Sequence, residues 1–517
     1  MNRLFKSMGI FFVIALLSKA FGFIREVVIA YYFGTSQELD AFLIASMIPL
    51  LLFDGIGAAL STGLIPVMSG SRFESKHKRN AFLSSLMIVL TILLSLLTIL
   101  FILFSPLLTK LIAPGFNMEM IQAVNMFTKL MMPIIICSGI AYLIMAFLQF
   151  EGFFNGASIM GFSTSIAMIL FVIIGYNYLG VKTLIAGTIA GSILQIIIFI
   201  PYLRKYDFKF VWNFKLFDAH KKLLLFSLPV LAGSLIIQVN ITVDRMLASG
   251  LETGSISALN YSTKLNTLIL GTTIMALSTV VFPIFSKLWT DHKKDEFVSQ
   301  ISTSIRGISF LMVPLCFFLS ILSYPIIKLL FGRGAFDEQA TELTSYAFTF
   351  SILILIGLSI REILNKALYS MSDTKGPLTG TLILVTMNVF LAFTLVPIFK
   401  ISGLPIATAI ANYFAILVLY FWFKYKHGIN PFRNLWNSFY KIIISTSVAC
   451  ASLLMIKYQI YNQHDGSFTM ILKLFLMILF SSIVYLFVNY VLNEQTAKGV
   501  ALKATQVLGR RRESLNG

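Results

Sequence analysis

The sequence predicts an all-α polytopic membrane protein with 14 transmembrane helices, and three observations support this fold class. First, 57% of the 517 residues are hydrophobic and only 12% are charged, whereas about 25% of residues in soluble domains are charged. Second, the apolar residues form continuous runs of about 20 residues or more, long enough to cross a bilayer as helices. Third, these runs lack the alternation typical of barrel strands. A cytosolic enzyme, a secreted disulfide scaffold and a disordered chain are therefore excluded.

The first apolar run follows Arg3 and Lys6, as the apolar part of a signal peptide would. The run continues to about Phe33, however, contains Lys19 and Arg25, and has no small-residue cleavage site. We therefore expect a retained first span rather than a cleaved leader.

The remaining spans are predicted from the apolar runs and the polar breaks between them, with an error of a few residues at each boundary. In chain order, the fourteen spans are 7–33, 39–69, 80–105, 121–149, 155–176, 180–202, 222–248, 255–287, 298–325, 341–370, 376–398, 402–425, 434–457 and 468–493. Several exceed the length needed to cross, so we expect tilt, kinks or extension beyond the bilayer.

Basic residues are distributed unequally between the two sides of the predicted membrane. With the N-terminus in the cytoplasm, the cytoplasmic segments contain 24 Lys and Arg residues. The opposite side has six, namely Lys110, Lys182, Lys328, Arg333, Lys400 and Lys457. Because cytoplasmic loops are rich in Lys and Arg, both termini are predicted to be cytoplasmic. The same distribution accounts for the net charge of +18, so we expect no nucleic acid as a partner.

An internal repeat divides the spans into two lobes. Residues 59–69 read A-L-S-T-G-L-I-P-V-M-S and residues 276–286 read A-L-S-T-V-V-F-P-I-F-S, with six identities in eleven positions. Each copy lies at the cytoplasmic end of the second span of its half. Two six-helix lobes related by a parallel repeat around a central cavity are the architecture of an alternating-access transporter.

The predicted domain organisation follows from this repeat. Residues 1–202 form an N-lobe of spans 1–6 and residues 222–425 form a C-lobe of spans 7–12. Between them, the basic and aromatic residues 203–221 form a linker at the cytoplasmic interface. Two additional spans cover 434–493, and a basic cytoplasmic tail covers 494–517.

Ionisable side chains within the spans are the candidate functional residues, since each costs at least about 2.5–3.5 kcal/mol at mid-bilayer unless it has a partner or a water-filled cavity. Near the middle lie Lys19, Arg25, Glu26, Asp54 and Lys264; near outer ends lie Asp40, Asp244 and Arg245; towards the inner end of the tenth span lie Arg361, Glu362 and Lys366.

These residues have structural as well as functional interpretations. Glu362 and Lys366 are four residues apart, so an ion pair within one helix is at least as good an interpretation as a substrate role. Lys19 and Asp54 lie at similar depth and can neutralise each other. Arg25 is too deep to reach the interface easily. Basic residues from the first helices of both lobes therefore predict a cavity for an anion, such as a phosphate.

The sequence gives no indication of covalent chemistry or of a bound metal. All five histidines are assigned to loops without ligand spacing, and no glycine-rich phosphate loop follows a strand. Cys137, Cys316 and Cys450 lie in apolar runs and are expected to be buried, neither disulfides nor ligands. The sequence therefore predicts a transporter rather than an enzyme, without a cofactor or an ATPase of its own.

Several motifs carry a family resemblance. The N-lobe contains S-K-A-F-G-F-I-R-E at 18–26, Y-F-G-T-S-Q-E-L-D-A-F at 32–42 and A-L-S-T-G-L-I-P at 59–66. The C-lobe contains V-D-R-M-L-A-S-G at 243–250 and I-S-A-L-N-Y-S-T-K-L at 256–265. Over essentially the whole chain, the sequence resembles the MurJ/MviN family of lipid II flippases, within the multidrug/oligosaccharidyl-lipid/polysaccharide exporter superfamily.

This resemblance implies a function in cell-wall synthesis and cell shape. The family moves an undecaprenyl-pyrophosphate-linked peptidoglycan precursor from the inner to the outer leaflet of the bacterial cytoplasmic membrane. The resemblance implies that Arg25, Lys19 and Lys264 bind the pyrophosphate and that residues 434–493 form a groove for the lipid tail. Glu26, Asp40, Asp54, Asp244 and Arg245 would balance the charge of the cavity or act in gating.

Further implied features are coupling to the membrane potential or to Na⁺ and contact with membrane lipids and cell-wall synthesis enzymes. The presence of two lobes in one chain predicts a functional monomer. Asp244 and Asn388 are candidates for a sodium site, but the eleventh span has no second carboxylate. The sequence also departs from the family pattern: no arginine follows Pro49, and Thr267 replaces an acid near Lys264.

Other functions remain open at this point. A flippase for another polyprenyl-linked saccharide, of capsule, exopolysaccharide or teichoic type, is consistent with the departures in the second span. Cation-coupled drug export would favour an acidic rather than a basic cavity. A non-transporting scaffold for wall-synthesis enzymes would tolerate neutralisation of the charged residues.

Overall fold

The computed structural model describes residues 2–69, 73, 75–212, 218–462 and 465–498. Linker residues 213–217, tail residues 499–517 and the side chain of Asp54 are predictions that fall outside the described residues. The described part is helical and contains no strand. Its helices are α1 (Asn2–Phe33), α2 (Gln37–Met68), α3 (Lys76–Ile112), α4 (Met118–Met131), α5 (Ile134–Phe150), α6 (Gly156–Leu179), α7 (Lys182–Lys205), α8 (Asp218–Ala248), α9 (Ser255–Thr290), α10 (Lys294–Ile321), α11 (Ser323–Phe331), α12 (Glu338–Ser351), α13 (Ile354–Ser370), α14 (Lys375–Phe399), α15 (Gly403–His427), α16 (Trp436–Ile460) and α17 (Ser467–Val491).

Each of the fourteen predicted spans is helical, but three of them consist of two helices. The span 121–149 breaks between α4 and α5, which are bent by 40°. Pro133 lies at this break and lacks the backbone N–H that would continue the helix. The spans 298–325 and 341–370 break between α10 and α11 and between α12 and α13.

Membrane crossing is supported by the length and composition of these helices. The described residues contain 10 helical segments that are long and apolar enough to cross a membrane, or up to 11 if the bent pair α4–α5 is one span. One of these segments, Lys375–His427, includes both α14 and α15. The prediction of an all-α multi-pass membrane protein is confirmed, whereas the count of fourteen spans stays a prediction.

The first of two compact units comprises Met1–Ser257 and Arg333–Ala340. Within it, α2 packs against α4, α5 and α8, and α6 packs against α1 and α7. Gly187 and Gly191, one helical turn apart on α7, allow the close approach of α6. A Cβ at Gly191 would lie 2.9 Å from the Cα of Thr164. Small residues at such spacing are the common means by which membrane helices pack closely.

The linker is held against the start of α3 in the same unit. Lys76 Nζ lies 2.6 Å from Asp207 Oδ2, and Asn80 donates a hydrogen bond to the carbonyl of Asp207. The hydroxyl of Ser84 accepts a hydrogen bond from the backbone N–H of Val211 at 3.0 Å. The described part of the linker is therefore fixed by polar contacts at one end of α3.

The second compact unit comprises Ala258–Gly332 and Thr341–Gly517. In it, α14 packs against α15, α10 against α13 and α16, and α16 against α17. The two lobes predicted from the repeat stay a prediction. The compact units are a different division of the chain, with other bounds. Helix α8, expected in the C-lobe, belongs to the first unit since it packs against α2 and α3.

Candidate functional site

The deepest candidate cation, Arg25 on α1, forms an ion pair with its neighbour in sequence. Arg25 Nη2 donates to Glu26 Oε1 at 2.6 Å, and the two side chains are 20% and 5% exposed. Adjacent residues on a helix do not face each other, so the arginine side chain must bend around α1 to make this contact. Arg25 Nε is buried and has no hydrogen-bond partner among the described residues. The guanidinium therefore retains donor capacity for an anion.

The other two predicted phosphate ligands are less constrained. Lys19 is exposed on α1, and its predicted pairing with Asp54 involves a side chain outside the described residues. Lys264 is half-buried on α9 and belongs to the second compact unit. Thr267, which stands where the family has an acid, donates its hydroxyl to the carbonyl of Thr263 on the same helix. The convergence of Arg25, Lys19 and Lys264 on one site stays a prediction.

Asp40, by contrast, accepts hydrogen bonds on both of its carboxylate oxygens. It is in the first turn of α2 and is only 3% exposed. Its Oδ2 accepts from the N–H of Gly254 at 2.7 Å, and its Oδ1 accepts from the N–H and the hydroxyl of Ser257 at 2.8 and 2.5 Å. Gly254 and Ser257 flank the start of α9, so Asp40 caps a helix more than 200 residues away. A carboxylate at two helix N-termini is favoured by both dipoles.

Asp244 and Arg245, the other two charged residues predicted at outer ends, lie near this cap. The charge of Arg245 acts on both Asp40 and Asp244. The Oδ1 of Asp244 is buried without a hydrogen-bond partner in the described part of the chain. The structure thus brings together three of the five residues that were predicted to balance charge or act in gating.

Close backbone contacts surround the same end of α2. The N–H of Ala335 donates to the carbonyl of Tyr31 at 2.8 Å. Gly254 has φ +89°, and a Cβ at this residue would lie 2.6 Å from the carbonyl oxygen of Thr35. Gly34 has φ +55°, and a Cβ there would lie 2.2 Å from the carbonyl oxygen of Ala335. We call this set of contacts, with the Asp40 cap, the outer latch.

Gly254, Ser257 and the segment Arg333–Ala340 are parts of this site that were not predicted from the sequence. A local signal was available only for the first two. The G-S-I-S sequence at 254–257 has the small polar residues typical of a helix start, but nothing in it indicates which side chain would cap the helix.

The charged residues of the tenth span lie on α13. Lys366 Nζ is 3.5 Å from Glu362 Oε1 and 6.0 Å from the ring centroid of Phe282. Arg361 Nε is buried without a hydrogen-bond partner among the described residues. The geometry is consistent with an ion pair within the helix.

The residues on α14 fit a sodium ion only in part. Asn388 is fully buried and donates its Nδ2 to Thr408 Oγ1 at 2.7 Å, while its Oδ1 has no partner in the described structure. Ala392, one turn later, offers no ligand, and α14 contains no carboxylate. The described residues contain no cluster of three or more His, Cys, Asp or Glu side chains that could hold a metal ion. The available ligands here are therefore the amide oxygen of Asn388 on α14 and the hydroxyl of Thr408 on α15.

Comparisons with known proteins agree with this architecture. Residues 29–495 match the family model described as "Lipid II flippase MurJ". The chain is 27% identical over 503 residues to a protein named "Probable lipid II flippase MurJ" from Buchnera aphidicola subsp. Baizongia pistaciae, covering 95% of this chain and 97% of that protein. It is 27% identical over 462 residues to a protein of the same name from Rickettsia prowazekii, covering 88% and 89% of the two chains.

A similar solved structure carries the description "Lipid II flippase MurJ, inward closed conformation". It matches with a TM-score of 0.78 and 25% sequence identity, over 93% of this chain and 98% of that one.

Proposed function

The chain belongs to the MurJ family of lipid II flippases, and from this membership we propose that it moves lipid II from the inner to the outer leaflet of the bacterial cytoplasmic membrane. Lipid II is the undecaprenyl-pyrophosphate-linked precursor of peptidoglycan. The protein acts as a transporter and not as an enzyme. Both termini are cytoplasmic in this proposal, as the distribution of basic residues predicts.

The observation that supports a substrate role most directly is the state of Arg25. Its guanidinium is largely buried, pairs with a single carboxylate and has a buried Nε without a hydrogen-bond partner among the described residues. A guanidinium presents donors in a planar fork that matches two phosphate oxygens. In the proposed mechanism the pyrophosphate takes up the unused donors of Arg25, and Glu26 holds the guanidinium in place when no substrate is bound.

Lys19 and Lys264 would add positive charge around the headgroup. A lysine provides charge without the fork of an arginine, so these two residues would attract the pyrophosphate more than orient it. We therefore expect substitution of Lys19 or Lys264 to reduce transport less than substitution of Arg25.

The outer latch would act as the gate on the outer side. Release of a headgroup to the outer leaflet requires that the contacts of Asp40 with Gly254 and Ser257 separate, and that water replaces them. Asp244 and Arg245 would then adjust the charge near Asp40 as the latch opens. Repeated closing and opening of this end, in alternation with the cytoplasmic end, gives alternating access.

The energy source belongs to the same proposal. Net positive charge near the substrate couples its movement to the membrane potential, at about 2.3 kcal/mol per charge and 100 mV. A sodium ion is the alternative, with Asn388 as one ligand. We further propose a functional monomer, with cell-wall synthesis enzymes as partners outside the membrane.

The proposal is tested by complementation in a bacterium whose only lipid II flippase can be depleted. We expect the wild-type chain to restore growth, Arg25→Ala to abolish rescue, and Arg25→Lys to reduce transport roughly tenfold because the charge remains and the fork is lost. Lys110→Ala is the matched control, since Lys110 is an exposed cation in the last turn of α3.

Expression and membrane insertion of each variant are measured in parallel. Growth of the depleted strain with Arg25→Ala would refute the role of Arg25. Failure of a well-expressed wild-type chain would refute lipid II as the substrate and favour another polyprenyl-linked saccharide.

A further inference from the structure

One side of α13 is polar, although this helix belongs to a predicted membrane span. Its polar residues recur at the spacing that places side chains on one side of a helix. All are half-buried, and they are Arg361, Glu362, Asn365 and Lys366. We call these four residues the polar face of α13. The helix also carries fully buried residues such as Ile363 and Ala367, and it packs against α10 and α15.

A face of this composition is unsuited to contact with acyl chains. Ionised side chains within membrane spans face the interior of the bundle or a water-filled cavity, because hydrocarbon does not solvate them. The polar face of α13 carries three ionisable groups within six residues of the chain. We therefore expect it to border water or a polar ligand.

Only part of the polar face is satisfied by its own contacts. Lys366 Nζ lies 3.5 Å from Glu362 Oε1, and the charge of Glu362 also acts on Arg361. Arg361 Nε and Asn365 Oδ1, a donor and an acceptor one turn apart, are both buried without a hydrogen-bond partner among the described residues. Since these two atoms do not bond to each other, both are available to a ligand that offers an acceptor and a donor.

The segment α12–α13 runs alongside α9 in the same direction. Asn266 Nδ2 on α9 donates to the carbonyl of Ser351 at the end of α12, at 2.9 Å and 85 residues further along the chain. Lys366 Nζ on α13 lies 6.0 Å from the ring centroid of Phe282 on α9, at almost the same separation in sequence. Residues at the same level on the two segments are therefore about 85 positions apart.

This alignment fixes the level of Arg361 relative to Lys264, the pyrophosphate ligand proposed on α9. Arg361 is level with a position about 12 residues beyond Lys264, which is about 18 Å further along the helix axis. The direction is towards the end of α9 that is predicted to be cytoplasmic. A headgroup whose pyrophosphate lies at Lys264 must extend over this distance to reach Arg361.

The peptide of a peptidoglycan precursor has the length and the chemistry to reach and bind this face. It is attached to the sugar that carries the pyrophosphate, and about five extended residues span about 17 Å. Its carboxylates match the planar fork of a guanidinium, and its N–H groups can donate to the amide oxygen of Asn365. A saccharide without a carboxylate offers no charge to Arg361.

We propose that Arg361 and Asn365 bind the carboxylate-bearing peptide of the transported headgroup. Arg361 donates to a peptide carboxylate, and Asn365 accepts from a neighbouring peptide N–H. This inference rests on the proposed function, because it assigns a second point of contact to the same substrate. It makes the polar face of α13 a determinant of specificity, since a lipid-linked glycan without a peptide carboxylate loses the contact with Arg361.

The test is the affinity of the purified full chain in detergent for three lipids, measured by native mass spectrometry. The lipids are lipid II, lipid II with its peptide carboxylates amidated, and undecaprenyl pyrophosphate. The wild type should bind lipid II about tenfold more tightly than the amidated form, because amidation removes the charge that Arg361 recognises. Arg361→Gln should bind both forms of lipid II with the same, about tenfold weaker affinity, and undecaprenyl pyrophosphate as the wild type does.

Arg433→Gln is the matched control, because Arg433 is 61% exposed and its ion pair with Asp295 is screened by water. This variant should bind all three lipids as the wild type does.

The comparison of the two forms of lipid II on the wild type requires no variant to fold, and equal affinities would overturn the inference. Unchanged binding of lipid II by Arg361→Gln, or an equal loss for undecaprenyl pyrophosphate, would also overturn it while leaving the proposed function intact. A wild type that binds neither lipid II nor undecaprenyl pyrophosphate would refute the proposed function, and this inference with it.

Discussion

Two buried aspartates, Asp40 and Asp373, each cap a helix, but they use different partners. Among the described residues, the hydrogen bonds to Asp40 come from neutral donors more than 200 residues away in the chain, while the charge of Arg245 acts on it without a hydrogen bond between them. Asp373 lies just before α14, and its Oδ1 accepts from the N–H groups of Lys375 and Gly376. Its Oδ2 accepts from Trp422 Nε1 at 2.9 Å, Lys426 Nζ at 2.7 Å and His427 Nε2 at 2.8 Å.

The different partners of Asp40 and Asp373 suit different roles, one in a contact that opens and one in a contact that stays closed. Asp373 joins the start of α14 to the end of α15, two helices that are consecutive in the chain, and a cation contributes to the contact. Asp40 joins segments that are distant in sequence through neutral donors, so water can replace these hydrogen bonds without breaking one to a cation. A local charged contact suits a permanent structural role, whereas a distant neutral contact suits an interface that opens and closes.

The largest expected effect is that of removing the Asp40 carboxylate. In Asp40→Ala three buried donors on Gly254 and Ser257 lose their acceptor, and each costs about 1–3 kcal/mol if it stays unsatisfied. We expect a loss of about 3 kcal/mol in the free energy of unfolding, measured by SDS titration, and loss of complementation. Asp40→Asn keeps one acceptor oxygen, so its free energy of unfolding should lie between those of the wild type and Asp40→Ala. Wild-type stability of Asp40→Ala would show that the outer latch does not hold this end closed.

The second prediction concerns the pH dependence of the Asp373 contact. Burial alone would raise the pKa of Asp373, but hydrogen bonds from Lys426, Trp422, His427 and Gly376 outweigh it and hold the pKa well below its usual range. A depressed pKa contributes stability above the ordinary value of about 3.9, and this stability is lost as the pH falls through the folded value.

We therefore expect Asp373→Asn to lose about 2 kcal/mol of stability at pH 7, since Lys426 is half exposed and water screens part of its contribution. The difference from the wild type should shrink when unfolding is measured below about pH 4. A difference that grew in acid would contradict the ionic nature of this contact.

The smallest of the three effects tests the backbone of the outer latch. Gly254→Ala introduces a Cβ at φ +89°, 2.6 Å from the carbonyl oxygen of Thr35, and should cost about 1.5 kcal/mol. Gly233→Ala on α8 is the control, because a Cβ at Gly233 would meet nothing within 4 Å beyond its chain neighbours and the backbone of its own helix, and alanine favours a helix. Equal unfolding midpoints for the two variants would show that the contact at Gly254 is loose.

Several features of the fold were predictable because they depend on nearby residues. The helical spans follow from continuous apolar runs, and the break before α5 follows from Pro133, although the sequence analysis treated 121–149 as one helix. The cap of α14 by Asp373 is also local, since the residues it caps are two and three positions away. The break between α10 and α11 has a similar signal in Pro325, in the first turn of α11, whereas residues 352–353, at the break between α12 and α13, include no proline or glycine.

The candidate site was predictable to a different degree at each residue. Arg25 and Glu26 are visible as candidates in the sequence, but adjacent helix residues do not face each other, so their ion pair at 2.6 Å is a finding of the structure. The three donors to Asp40 could not be found from the sequence, because a carboxylate in the first turn of α2 can cap any helix start that the fold brings to it. The contacts of Tyr31 and Gly34 with the segment Arg333–Ala340 belong to the same class.

The sequence by itself determined that the chain lies in a membrane as helices, since burial of apolar side chains and satisfaction of backbone hydrogen bonds within each helix are properties of the segment alone. It also determined that Arg25 needs an anionic partner, because a charge at this depth is unstable without one. Only the tertiary structure decided that α8 packs with α2 and that Asp40 caps α9. These contacts join distant segments, and many alternative pairings would satisfy the same local preferences equally well.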